Sequence, residues 1–325
     1  MKYYRGISTD PYLNLASEQF LLDTEDGEVF MLWRNSRSVI LGRNQNAYAE
    51  VNLPFVEENA IPVVRRLTGG GAVFHDLGNL NFTFIVPRER CPEMDFGRFV
   101  RPVAQALREM GVPAELSGRN DLVADGRKIS GNAQCVWRDR VMHHGTLLVD
   151  ADLSFMDGAL RADADKLKSK GIKSVRSRVG NLAEYVPGLD AEGLMRRLEE
   201  YFLGEGAETA VFTAEQRAGI ERLAEEKYRT WEWNFGASGS FGQTVRRRFP
   251  YGSVQLSFSS EGGVLTDVRL SGDFFGIRPA GELESALRGC RLIRYELAER
   301  LARAEVGEVI YGASPDEIAG MFEGL

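Results

Sequence analysis

Between residues 121 and 149 the chain sets out three extended segments joined by two tight turns, and no other stretch restricts its fold as much. Residues 121–124 and 128–137 flank Asp125-Gly126, a pair that tolerates the positive φ angles of a primed hairpin turn. Arg138-Asp139 then turns the chain into residues 140–149. Neighbours in such a meander run antiparallel, which excludes the regular βαβ alternation of a doubly wound fold. The predicted fold class is α+β, with mixed or antiparallel sheets flanked by helices.

The remaining periodicity fits that class. Leu13, Ala16, Phe20 and Leu21 recur at helical spacing and predict an amphipathic helix over 12–23. Residues 29–33, 38–42, 72–76 and 80–86 read as strands. A helix is predicted over 95–110, closed by Gly111, with Pro102 kinking it or delaying its start. Helical patterning returns over 191–203 and 213–229, the second opened by a Thr213–Gln216 capping box. An aromatic, glycine-rich stretch, 231–242, precedes two strands, 253–258 and 264–270, joined at Glu261-Gly262-Gly263. The last helix starts at Ser314, with Pro315 in its first turn and Glu317 at its third position. A chain of 325 residues exceeds one ordinary core, so we expect a large domain over 1–242 and a small C-terminal α+β domain over 243–325.

Two segments carry the chemistry. The first, residues 65–76, places Gly69, Gly70 and Gly71 after Arg65 and Arg66 and before His75 and Asp76. Glycines let backbone N–H groups approach a ligand closely, and a charged guest of phosphate or carboxylate type suits them. The run lacks the Gly-Lys-Ser/Thr ending of a P-loop and misses the GxGxxG spacing. A plain turn or bulge at a sheet edge needs no such concentration of charge, and a ligand loop is therefore favoured. The second segment, 126–133, presents Lys128 just past the hairpin tip. Gly131 lies inside what otherwise reads as strand, a place where glycine often marks close approach by ligand or backbone. A lysine there can neutralise phosphate as a movable point charge. A third feature, residues 166–178, holds six basic side chains and no acidic one, in a chain whose net charge is -7. Such a loop can close over a phosphorylated intermediate or steer an acidic partner.

The overall charge argues against nucleic acid as a partner. No run of about eighteen apolar residues occurs, so no membrane span is expected, and the polar start has no apolar signal core. Cys91, Cys135 and Cys290 form no CxxC pair, and with three histidines, His75, His143 and His144, no transition-metal site is assigned. Cys135 sits among Ala133, Val136 and Trp137, where a buried thiol is expected. A reducing cytoplasm fits these features.

RRLTGGGAVFHDLGNLNFTF, GRNDLVADGRKISGNAQ, HHGTLLVD and KGIKSVRSRVGNL, in that order, resemble lipoate-protein ligase A over roughly the first three-quarters of the chain. The trailing domain is similar to the one carried by two-domain bacterial members. The resemblance implies a fold like the catalytic domains of biotin and lipoate ligases and a two-step reaction using ATP and Mg2+. Lipoate becomes lipoyl-AMP, then passes to a lysine on lipoyl domains of 2-oxoacid dehydrogenase subunits or on the glycine-cleavage H protein. It further implies that Arg66 and the backbone of Gly71, Ala72, Val73 and Phe74 hold the nucleotide, with Asn79 and Asp121 as polar contacts and Asp121 as a possible magnesium contact. Lys128 would touch both the lipoyl carbonyl and the phosphate, while Trp33, Thr68 and His75 line the lipoyl channel. Residues 166–178 match the adenylate-binding loop. Two competitors remain at this point: an octanoyl or lipoyl transferase working through a cysteine without ATP, and a non-catalytic module that binds lipoyl domains.

Overall fold

The computed structural model describes residues 1–118, 120–161, 179–236 and 241–322. The meander forms as expected: β6 (Asn79–Pro87), β10 (Arg140–Leu148), β9 (Arg127–Trp137) and β8 (Asp121–Ala124) are successive antiparallel neighbours. Asp125 and Gly126 take φ of 48° and 75°, the left-handed pair that a primed turn requires. The sheet extends to eight strands in the order β11-β1-β2-β6-β10-β9-β8-β7, adding β1 (Lys2–Arg5), β2 (Val29–Trp33), β7 (Ala114–Ser117) and β11 (Glu208–Ala210). β1 runs parallel to both β2 and β11, so the sheet is mixed.

Alternation along the strands gives each face its own core. Phe30 and Leu32 of β2, with Leu80, Phe82 and Phe84 of β6, pack beneath the helices Phe96–Glu109 and Ala191–Gly204. Pro102 lies inside the first of these helices and neither delays nor ends it, because Asp95 caps the N-terminus. The carbonyl of Arg98, which proline cannot serve, is on an exposed residue and can meet water. The intervening residues Val29, Met31 and Trp33 face the other way, onto helix α1 (Pro11–Thr24) and the helix Ala214–Leu223. Asp10 opens α1 by accepting the amide of Tyr12 at 2.8 Å. The Thr213–Gln216 capping box forms as read, although the helix passes into a π-helical turn at Ala224–Tyr228.

A second sheet, in the order β4-β3-β5, covers this face: β3 (Ser38–Leu41), β4 (Val63–Arg65) and β5 (Val73–His75). The glycine run connects β4 to β5 and so crosses the end of this small sheet. The C-terminal sheet of β12 (Gln243–Phe249), β13 (Gly252–Glu261) and β14 (Val264–Gly272) closes on its own helices around Val254, Leu256, Phe258, Leu283, Leu297 and Ile318.

The two bodies meet at the glycines. The amide of Gly272 donates to the carbonyl of Asn44 at 2.9 Å, and the amide of Gly70 reaches the carbonyl of Phe274 at 3.4 Å. Phe275 enters a satellite cluster with Met94, Phe96 and Ala133 of the large domain. A Cβ on Gly69 would lie 2.4 Å from the Phe274 carbonyl oxygen, a backbone atom with little freedom to retreat. Gly69→Ala is therefore expected to loosen this seam, costing about 1–3 kcal/mol by overpacking. Denaturant unfolding of the two proteins tests this, and an unchanged midpoint counts against a tight seam.

Candidate functional site

Both arginines ahead of the glycines are buried, and their charge is turned inward. Sequence reasoning placed the two guanidinium groups beside a ligand; in the structure their hydrogen bonds within the protein brace the backbone around the glycines. Arg65 donates to the carbonyls of Gly42, Arg43, Gln45, Trp233 and Asn234, at 2.6–3.1 Å. Arg66 donates to the carbonyls of Ile40, Gly69 and Gly71 and, through Nε, to Thr68 Oγ1 at 2.9 Å. Burial pulls both guanidinium pKa values down to about 10, so both remain charged at neutral pH.

With its carbonyls drawn to Arg66, the loop presents amides elsewhere. Among the described residues nothing accepts a hydrogen bond from the amide of Gly71 or of Ala72, and both residues are half-buried. Two adjacent unpaired amides next to a buried cation make a seat for an anion. Phe74, further along β5, is buried and stacks on Phe155.

Lys128 lies on β9, with its side chain folded across Gly131; a Cβ there would meet Nζ at 2.8 Å. Nζ pairs with Asp121 Oδ1 at 2.8 Å, the two side chains being 37% and 33% exposed. The hairpin places the pair together: Asp121 sits opposite Gly131, and an irregularity after Leu122 brings Val123 opposite Lys128. Beyond the undescribed stretch, Val179 bridges Lys128, the amide of Gly180 donates to the Lys128 carbonyl at 2.9 Å, and Val179 shares an apolar cluster with Phe74. This chain of neighbours draws the lysine and the loop into one region. The basic segment 166–178 lies outside the described residues.

The remaining sequence-predicted residues line the space between the two sheets. Trp33 meets the His75 ring edge-on at 6.1 Å, and His75 Nδ1 pairs with the side-chain amide of Asn35 at 3.1 Å. Asn79 donates to Asn81 Oδ1 at 3.0 Å. Three buried polar atoms here have no partner among the described residues: His75 Nε2, Asn79 Oδ1 and Asn81 Nδ2. Orphaned polar atoms in a core are costly unless water or a ligand reaches them. Thr68 is buried and hydrogen-bonded to His144, which carries the network on to Glu18 and Thr83. Glu18 and Asn35 carry no motif signal, and Thr83 and His144, although inside quoted motifs, were given no role; the strand and helix registers bring them together.

A nucleophilic cysteine is not supported. Cys91, Cys135 and Cys290 are all buried free thiols, and burial pushes Cys135 up to about 12, leaving no thiolate at neutral pH. Among the described residues no group of three or more His, Cys, Asp or Glu side chains gathers to hold a metal ion. No described helix is long and apolar enough to cross a membrane.

The folded sheets, with the braced glycine loop and Lys128 near their junction at Val179, belong to a large α+β body that carries a small C-terminal α+β body. Residues 10–203 match the family model for the lipoyl protein ligase A/B catalytic domain, and 238–322 match that for the bacterial lipoate protein ligase C-terminus. Lipoate-protein ligase LplJ of Bacillus subtilis (strain 168) is 42% identical over 299 residues, 90% of this chain and 90% of its own. A solved lipoate-protein ligase A bound with ATP is 28% identical, covering 73% of this chain and 97% of its own, with a TM-score of 0.59. A bi-partite lipoate protein ligase from Thermoplasma acidophilum, described with its E2 lipoyl domain, is 28% identical, covering 75% and 100%, with a TM-score of 0.63. The chain belongs to the lipoate-protein ligase family and is a ligase enzyme.

Histidine burial has a consequence for stability. Burial, reinforced by the neighbouring Arg66 and His144, lowers His75 from 6.5 to about 3, so the folded protein keeps it neutral while the unfolded chain protonates it below about pH 6.5. Stability then falls as pH drops below that value, by up to about 1.4 kcal/mol per pH unit for this one proton. In denaturant titrations at pH 7.5 and 5.0, wild type is expected to lose about 2 kcal/mol more than His75→Gln. An equal loss in the two proteins would show that His75 is not held neutral.

Proposed function

We propose that the chain joins lipoate to a lysine of acceptor lipoyl domains in an ATP-dependent, AMP-forming reaction, with the catalytic domain spanning 1–242 and an accessory domain 243–325. One observation carries the proposal: an arginine-braced glycine loop with two unpaired amides lies in the same region as a half-exposed lysine held by a single carboxylate. The loop matches a phosphate and the lysine matches the junction of phosphate and carboxylate. The ATP-bound relative supports the same choice of nucleotide.

In the first step a carboxylate oxygen of lipoate bonds to the α-phosphorus of ATP while the bond to pyrophosphate breaks. The amides of Gly71 and Ala72, with the backbone of Val73 and Phe74, would hold the phosphate. Lys128 Nζ would leave Asp121 for the oxygens of the α-phosphate and lipoyl carboxyl, where charge builds. In the second step the neutral ε-amine of the acceptor lysine attacks the lipoyl carbonyl, AMP departs with the bonding electrons, and the nitrogen gives up one proton to solvent or to the departing phosphate as the amide forms. Lys128 would now polarise that carbonyl. Water exclusion favours transfer over hydrolysis of the mixed anhydride.

Trp33, Thr68 and His75 would wall the lipoyl channel, with the orphaned His75 Nε2 and Asn79 Oδ1 at its polar end. Mg2+ fits the donor set: it commonly takes one or two carboxylates together with substrate phosphates, and Asp121 is a partly exposed carboxylate at the lysine. Bound with ATP, it would shield phosphate charge. The acceptors we propose are lipoyl domains of 2-oxoacid dehydrogenase subunits and the glycine-cleavage H protein, in line with the archaeal relative described with an E2 lipoyl domain. Three free cysteines agree with a cytoplasmic setting.

Lipoate-dependent exchange between ATP and pyrophosphate reports the first step alone. Wild type should catalyse it, and Lys128→Ala should lower the rate by about 100- to 1,000-fold, as for loss of a transition-state donor. Its unfolding midpoint should move little, because an exposed ion pair contributes about 0–1 kcal/mol. Near-normal exchange by the variant refutes the role given to Lys128; no exchange by wild type refutes the ligase chemistry.

A further inference from the structure

Helix α1 buries a carboxylate that nothing in the proposed chemistry uses. Glu18 is 1% exposed, among the apolar side chains that fix α1 to the sheet. An isolated buried carboxylate is expensive unless neighbours compensate it. Here its Oε1 accepts the Thr83 hydroxyl at 2.6 Å, and Thr83 in turn accepts the indole N–H of Trp33 at 2.9 Å. Oε1 also lies 2.9 Å from His144 Nδ1, while His144 Nε2 lies 2.7 Å from Thr68 Oγ1. Thr68 Oγ1 accepts Nε–H of Arg66, whose other nitrogens hold the carbonyls of Gly69 and Gly71.

Among the proton arrangements these contacts allow, we take the one in which Thr68 donates to His144. The Thr68 oxygen accepts from Arg66, so its own hydrogen is free to go to His144 Nε2. That leaves His144 neutral with its proton on Nδ1, donating to Glu18. The carboxylate thus becomes the terminal acceptor of a buried chain running through His144 and Thr68 to Arg66, with Trp33 and Thr83 as a second branch. Buried networks of this kind fix geometry when their members are hydrogen-bonded, and each side chain of this one has at least one partner.

We infer that Glu18 is a positioning residue: acting through His144 and Thr68, it orients Arg66, and so sets which way the carbonyls and amides of the glycine loop face. This rests on the glycine loop being the nucleotide cradle. Arg66 can draw in two loop carbonyls only while its plane is fixed, and Thr68 is the partner that fixes the Nε edge. The Trp33 branch ties the same carboxylate to the expected lipoyl wall, so the acyl and nucleotide sides share one buried anchor.

Titration calorimetry of Mg2+ and ATP into the full chain without lipoate reads the cradle apart from any chemistry. Thr68→Val should weaken ATP binding by about ten-fold, since it leaves Arg66 Nε and His144 Nε2 unpaired, and Thr68→Ser, which keeps the hydroxyl, should restore it. Glu18→Gln, which keeps the shape but removes the charge, should weaken it several-fold. Unchanged ATP affinity in folded Thr68→Val and Glu18→Gln overturns the inference; so does a loss that Thr68→Ser fails to relieve. If the variants do not fold, nitrogen-15 spectra of wild-type His144 at pH 7.5 decide: a proton on Nδ1 alone supports the chain, and the opposite tautomer or an imidazolium overturns it. Wild type that binds ATP but performs no lipoate-dependent exchange would sink the ligase proposal and leave this ordering of the loop standing.

Discussion

Everything near the cradle depends on two buried guanidinium groups. Arg65 gathers carbonyls from the loop after β3 and from the segment at Trp233 and Asn234, more than 160 residues away in sequence. Arg66 gathers Ile40, Gly69 and Gly71. Placing two cations side by side in a core is unfavourable, and burial lowers both pKa values accordingly. The compensation is almost wholly backbone carbonyl dipoles, which convert an irregular stretch of chain into a fixed surface. Lysine could not do this: one ammonium cannot reach five carbonyls in a planar fork.

Those constraints explain why three glycines follow. Each faces a different demand. Gly70 adopts φ of 88°, where a side chain would be strained, and Gly69 lies where a Cβ would strike the Phe274 carbonyl. Gly71 has its carbonyl held by Arg66 and its amide free among the described residues. The run therefore serves two surfaces at once, the amides toward the anion seat and the missing side chains toward the small domain. Its composition reflects domain docking as much as ligand approach.

The features legible in the sequence were local ones. Asp125-Gly126, the capping boxes at Thr213 and Ser314, and the alternation along β2 and β6 depend on neighbours within a few residues, and all appear in the structure. The short strands β1, β4 and β11 went unread because each is three or four residues long and takes its partner from distant chain. Within the site, the glycine run and Lys128 were visible as motifs, but the bracing of backbone carbonyls by the arginines was not, because a pair of cations reads alike whether it meets phosphate or carbonyls. Glu18 left no signal, because a glutamate on an amphipathic helix is ordinarily solvated, and His144 lay inside a quoted motif without a role: only the register of β10 against β6, with His144 opposite Thr83, brings the two histidine nitrogens between a carboxylate and a hydroxyl.

The Lys128–Asp121 pair then has a simple electrostatic logic. Both side chains are about one-third exposed, and a pair in that setting holds together by on the order of 1 kcal/mol, so it is easily exchanged for a stronger partner. A triphosphate or an acyl phosphate carries more charge than one carboxylate and would displace it readily. On the proposed chemistry Asp121 would then be released to serve a phosphate-bound cation. The hairpin holds the lysine across Gly131, neutralised by Asp121, and on the proposed chemistry one exchange of partners would serve both the nucleotide and its metal. A permanently buried pair would lack this property, since separating it would leave an unpaired charge out of water. Partial exposure at the hairpin, set against full burial at Arg65 and Arg66, separates the cation that moves from the two that hold the frame.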